Sequence, residues 1–183
     1  MTSFYTDFSE SSPYIGAGLS LPSSFASFWA PEMGCVGYGL EEVTVEAKLT
    51  DLAMQYIARS ICDGTSFRLD TFAVGCGGYD VSYPTRAVEV NSASTDLDAE
   101  IYRGAITAVE DVLIDGTSKS FVARLSQASV SGGIGEIGLF ATILSSPDYP
   151  TEVGGQFLFC MAHQPLNTKT LNHVTTYRVL VVL

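Results

Sequence analysis

The ten residues from Ile134 to Ile143 constrain this chain most. Taken two at a time, Gly135, Ile137, Leu139, Ala141 and Ile143 form one small or apolar face, and Ile134, Glu136, Gly138, Phe140 and Thr142 form a mixed one. That alternation predicts a strand with one face wholly in a core and the other nearly so. Glycines inside such a run predict a bulge or a close backbone approach. A single carboxylate there, Glu136, costs free energy unless it is paired or reaches the rim. Arg103 and Arg124 are the expected partners, since an unpaired carboxylate within a strand is expensive.

The rest of the chain is arranged around that strand. From Thr50 to Ile61 the apolar residues fall at steps of three and four, which predicts an amphipathic helix laid on a sheet. Thr50 is placed to cap it, Asp51 lies in its first turn, Arg59 near its far end, and Asp63-Gly64 stops it. Strands are expected at Phe67–Val74 and then at about 105–113, 120–129, 134–143, 155–163 and 174–183. Turns are expected at Asp115-Gly116, Gly132-Gly133, Ser146 to Pro150 and Gln164 to Asn167. Strands so spaced predict an antiparallel sheet or sandwich. The fold class is therefore mainly β (α+β): an antiparallel β-sandwich or sheet, one packed amphipathic helix and an extended N-terminal arm. The final strand, Tyr177 to Leu183, is too apolar for an exposed edge, so it must be interior or covered by another subunit.

Residues 1–40 are set apart as an arm and 41–183 as the β domain. The arm spaces aromatics between Ser, Gly and Pro with no sustained period, and it holds the single Trp. Such a segment lacks the pattern to form its own core, yet is too aromatic for a simple linker. Two readings stay open: a loop-rich lobe on its own domain, or an extended arm that anchors in a neighbouring subunit. On the second, Phe4, Tyr5, Phe8, Tyr14, Phe25, Phe28 and Trp29 are the candidate interface residues.

Charge and chemistry narrow the function. A net charge of −11 with nine scattered basic residues argues against nucleic-acid binding. The longest apolar runs fall far short of the roughly 20 residues of a membrane span. No secretory signal pattern is present at the N-terminus. The four cysteines have no metal-ligand or disulfide spacing and read as small buried hydrophobes. Gly75-Cys76-Gly77-Gly78 lacks the Lys-Ser/Thr of a phosphate loop and reads as a tight turn that needs positive φ. Asp96, Asp98 and Glu100 would share one face of a strand, a possible Ca²⁺ cluster set against solvated carboxylates. His163 and His173, near two strand ends, are set between a metal site and ordinary rim histidines. No nucleophile elbow or converging carboxylate pair is found, so no enzyme activity, metal or cofactor is expected.

Three segments resemble a known family. Gly135-Glu136-Ile137-Gly138-Leu139-Phe140-Ala141 resembles the "EIGLF" signature of tail-fibre and tail-collar proteins of tailed bacteriophages. Leu97 to Ile106, with Tyr102-Arg103, is similar to that family's "NEVYR-x-PI" block. Gly155 to Pro165, with His163, followed by Lys169-Thr170, is similar to its "ravaH-x-P…KT" segment. The likeness covers about residues 48 to 183 and marks Arg103, His163 and Lys169 with the signature strand as structural residues. It implies a virion structural protein, made in the host cytoplasm and assembled into the particle. Its role there would be an oligomeric connector or adaptor in the tail, collar or baseplate that anchors fibres or forms their base. Its partners would be itself, as a trimer or ring, and other tail, baseplate or fibre proteins. The alternative is a receptor-binding module for a host-surface glycan or protein, with Tyr79, Tyr83 and Tyr149 offering stacking faces.

Overall fold

A computed structural model describes residues 26–30, 43–111, 118–126, 129–169 and 174–182. The arm positions Phe4, Tyr5, Phe8, Tyr14 and Phe25, the turn at Asp115-Gly116, and His173 lie outside them. Eleven strands and one α-helix are present among the described residues: β1 (Ala26–Ala30), β2 (Val43–Leu49), α1 (Asp51–Cys62), β3 (Ser66–Gly75), β4 (Tyr79–Asp80), β5 (Tyr83–Ala87), β6 (Glu100–Ala105), β7 (Ala108–Asp111), β8 (Ser118–Leu125), β9 (Gly132–Ser145), β10 (Gln156–Lys169) and β11 (Thr175–Val182). Nine of them form one antiparallel sheet in the order β6-β3-β9-β10-β2-β1-β11-β8-β7, and β4 and β5 make a separate hairpin.

The expected fold class holds: mainly β, antiparallel, with one helix. The order has a further property. Its end strands, β6 and β7, are separated only by Ile106 and Thr107. The Ile106 amide donates to Asp70 O of β3 at 2.9 Å and the Thr107 amide to Val122 O of β8 at 2.7 Å. One chain segment therefore links β3 at one end of the sheet to β8 at the other, while among the described residues the outer edges of β6 and β7 carry no ladder partner. Across the interior Phe72 of β3 meets Tyr177 of β11 at 5.3 Å between ring centroids, so the two halves face each other as in a sandwich.

β9 lies between β3 and β10 and is buried on both sides. Ile137, Leu139, Ala141 and Ile143 join the main core with Phe72, Val74, Phe157, Phe159 and Tyr177. Phe140, from the other face, joins Ala73, Val90, Leu97, Leu158 and Met161, where the segment after the hairpin covers the sheet. The alternation read from the sequence is thus the burial pattern of a central strand. The helix also forms where its spacing places it. Thr50 Oγ1 accepts from Ala53 N at 3.1 Å, Asp51 sits in the first turn and Arg59 in the last, and Gly64 follows at φ 75°. Tyr56 stacks on Phe157 with centroids 4.2 Å apart and fixes the helix to the core.

Two expectations are corrected, and of the two readings of the last strand one is found. Ala26–Ala30, assigned to the arm, is a strand paired in register with β2 on one side (Phe28 opposite Val45, Trp29 opposite Thr44) and β11 on the other (Phe28 opposite Val179, Trp29 opposite Arg178). The division at residue 40 therefore leaves one strand of the sheet on the arm side. The turn expected at Gln164 to Asn167 lies within β10. The pairing steps from His163–Glu136 to Asn167–Ile134, so four residues of β10 span two of β9. Such a bulge tolerates Pro165, which has no amide to give to a ladder. Gln164 turns into the bulge and donates from Nε2 to Ile134 O at 3.0 Å. The last strand is interior, held between β1 and β8, and needs no second subunit to cover it.

Burial also sets an alkaline limit. It pushes the Tyr177 phenol and the Cys160 thiol well above their ordinary ranges, with desolvation the first cause in both. Each group must stay protonated in the fold, whereas the unfolded chain releases its protons from about pH 8.5 (Cys) and 10 (Tyr). The unfolded state then binds fewer protons, so stability is full below those values and falls as pH rises above them. Thermal unfolding from pH 7 to 11 should show a falling Tm from about pH 9, with the first part of the fall missing in Cys160→Ala.

Candidate functional site

The polar feature that the fold encloses is Glu136. It is fully buried at the middle of the sheet, opposite Gly75 on β3 and His163 on β10. Its expected partners, Arg103 and Arg124, do not reach it. Oε2 instead accepts a 2.8 Å hydrogen bond from the backbone amide of Asp98, and Oε1 has no partner. Arg103 is engaged elsewhere: its guanidinium lies 3.8 Å over the Phe140 ring and binds Asp96 at 2.7 Å and the Glu100 carboxylate. Glu100 first, then Asp96, holds that guanidinium above its ordinary value. A backbone donor serves Glu136 because the loops, rather than the neighbouring cations, are what close over this point of the sheet.

The cover is the glycine loop after β3. A side chain at Gly77 would overlap Glu136 Oε1. One at Gly75 would lie 2.8 Å from Ala99 O and 3.1 Å from Glu136 Oε2. At Gly78, where φ is 78°, a Cβ would stand 2.9 Å from Glu136 Cγ and 2.8 Å from His163 Cδ2. From below, a Cβ at Gly135 would run into the Gly77 carbonyl oxygen. Positive φ explains Gly78, as the sequence reading has it, while Gly75, Gly77 and Gly135 are required by close approach. The loop is tied down by Cys76 N to Ala99 O at 2.8 Å and by the Asp98 bond to Glu136.

His163 completes the arrangement. Being the cross-strand partner of Glu136, it shares the same face. Its Nδ1 lies 2.9 Å from Val88 O, while Nε2 is buried with no partner. Val88 N in turn donates to Gly78 O at 2.9 Å, so His163 grips the residue where the β4–β5 hairpin rejoins the body. The chemistry of the site is that of a buried acid and an imidazole side by side under a backbone lid. No ion pair joins them, and among the described residues no group of three His, Cys, Asp or Glu converges as a metal ion requires. The carboxylates considered for Ca²⁺ are otherwise employed: Asp96 and Glu100 bind Arg103, and Asp98 contributes its amide.

The remaining residues of the resemblance lie on the same half of the sheet. Lys169 pairs with Gly132 across β10–β9 and donates from Nζ to Ser126 O and Val130 O, both at 2.9 Å, and burial lowers its ammonium from its ordinary value. Of the candidate sugar-stacking residues, Tyr83 is 66% and Tyr149 52% exposed, and Tyr79 is half-buried against the glycine loop. Arg59 lies 4.5 Å from the Tyr149 ring and 4.8 Å from that of Tyr56, and binds Glu152 at 2.9 Å, so one tyrosine face is already occupied. Sequence reading singled out the lone acid and the glycine loop but not their contact. Two glycine-rich segments and one unmatched carboxylate were the signal for it. Compared with family models, curated proteins and solved structures, the chain matches none.

Proposed function

We propose that the protein is a structural component of a tailed-bacteriophage virion: an oligomeric connector or adaptor in the tail, collar or baseplate that anchors fibres or forms their base. One observation carries this reading beyond the bare likeness of short motifs. The three segments that resemble the tail-fibre and tail-collar family are far apart in sequence yet make one contiguous unit. Phe140 of the signature strand lies under Arg103, Glu136 stands opposite His163, and Gly138 opposite Met161. Residues that a family would keep together for a structural reason are together here. The nine-stranded sheet, its two ends linked by one chain segment, suits a part that bears load.

Subunit contacts in this reading come from the arm aromatics and not from β11, which the chain itself covers. The alternative, recognition of a host-surface glycan or protein, is favoured by the exposure of Tyr83 and Tyr149. Imaging of intact particles at residue resolution, together with light scattering of the purified chain, separates the two. A trimer or ring seated at the tail, collar or baseplate supports the connector. A monomer at a fibre tip, with glycan binding abolished by Tyr83→Ala or Tyr149→Ala, supports the alternative and removes the connector.

A further inference from the structure

The β4–β5 hairpin packs on β10 outside the main sheet. It belongs to no larger sheet, and Val81 and Tyr83 at its tip are 85% and 66% exposed. Both of its roots are held at the same place. Gly78, where it begins, rests on Glu136 and His163, and Val88, where it ends, is bonded to Gly78 through its amide and to His163 through its carbonyl oxygen. The two side chains that hold it each bring an unsatisfied, buried polar atom to the site: Glu136 Oε1 and His163 Nε2. Glu136 Cγ and His163 Cδ2 both fall within 2.9 Å of the single point where a Gly78 Cβ would stand, so the two side chains are immediate neighbours.

We propose that Glu136 and His163 form a proton-operated clasp on the root of this hairpin. A buried carboxylate with one backbone hydrogen bond lacks a counter-charge, and the cations nearby are committed: Arg103 to Glu100 and Asp96, and Lys48 to Glu89 at 2.6 Å. The remaining titratable groups on the surrounding elements are Cys76, Tyr79, Asp80, Tyr83, Arg86, Glu89, Asp98 and, on β2, Glu46; the cation among them, Arg86, is exposed on β5. Proton uptake by His163 supplies the missing charge beside Glu136 in a site where water does not screen it. It also turns Nε2 from an acceptor with nothing to accept into a donor, while Nδ1–H keeps its bond to Val88 O. Protonation therefore tightens the root of the hairpin, and deprotonation loosens it. The sign follows: the closed clasp is favoured at low pH and weakens as pH rises through the histidine range.

The chain has only two histidines, so each can be followed separately by NMR, with His173 as the internal reference. In Glu136→Gln the carboxylate charge is lost while the amide still accepts from Asp98 N. The titration midpoint of His163 should fall by about one pH unit while that of His173 stays put. An unchanged His163 midpoint overturns the proposal. The second readout is hydrogen exchange at the Val88 amide between pH 5 and 8, corrected for intrinsic rate. Protection in the native chain should drop at least about tenfold from the lower to the higher pH, and in His163→Gln it should be flat. This arm stands even if Glu136→Gln fails to fold. Native protection that does not change with pH, or a pH dependence that survives in His163→Gln, also overturns it.

Discussion

Gly135→Ala should lower the melting temperature by roughly 6–12 °C, among the largest effects of any single methyl added to this chain. The new Cβ would run into Gly77 O and lie 2.8 Å from Tyr79 Cδ1. Gly77 O is backbone, held in a loop that is itself bonded at Cys76 and pressed onto Glu136, so no side-chain rotation relieves the clash. Either β9 moves within a sheet packed on both faces, or the loop lifts and uncovers a buried carboxylate. Either route costs roughly 3 kcal/mol, which at about 2–4 °C per kcal/mol gives the shift. Gly133→Ala, two positions earlier on the same strand, is the control. Its Cβ would lie 2.5 Å from Leu166 Cδ1, the free end of a flexible side chain, and it should cost less than about 1 kcal/mol. Urea unfolding of both variants decides the matter. Equal midpoints would mean that the glycine loop does not bear on β9 as its geometry requires.

That contrast marks what can be read from a sequence and what cannot. Period two over Ile134 to Ile143 gave the burial of β9, and steps of three and four with Thr50 at the start gave α1, because both are local patterns that a core must match. The nearness of Gly77 to Gly135 is not local. It depends on β3 and β9 pairing at Gly75–Glu136, and nothing in either segment states that register. The same reason explains the error over Glu136. A search for opposite charge favours Arg103, but Arg103 lies near Asp96 and Glu100 in sequence and is claimed by them first, while a backbone amide, which no composition reveals, takes the carboxylate. Gln164 to Asn167 was misread for a different cause. Pro and Asn are turn formers, yet a bulge inside a long strand uses the same residues. The bridge between β3 and β8 was equally hidden, since Glu100–Asp111 has no feature that says its two halves pair with strands so far apart in the order.

The bridge between β3 and β8 can be tested at its seam. Thr107 is the residue at which the segment leaves β3 and joins β8: its amide donates to Val122 O at 2.7 Å, and its Oγ1 accepts from Arg124 N at 3.1 Å. Thr107→Pro removes both, and leaves a strand carbonyl and a strand amide without partners. Together these losses should cost roughly 3 kcal/mol. The larger consequence is topological. With the stitch undone, the short β7 is held to β8 by its own pairing alone, and where it peels away the edge it leaves borders the buried Val122, Ala123 and Leu125. A sheet opened in this way is a template for another chain. Thr107→Pro should therefore both melt roughly 6–12 °C lower and aggregate in a concentration-dependent manner well below its melting point, while Thr107→Ser, which keeps both bonds, should behave as the native protein. If the proline variant instead stays dispersed with a near-native melting temperature, the segment Glu100–Asp111 is not what holds the two ends of the sheet together.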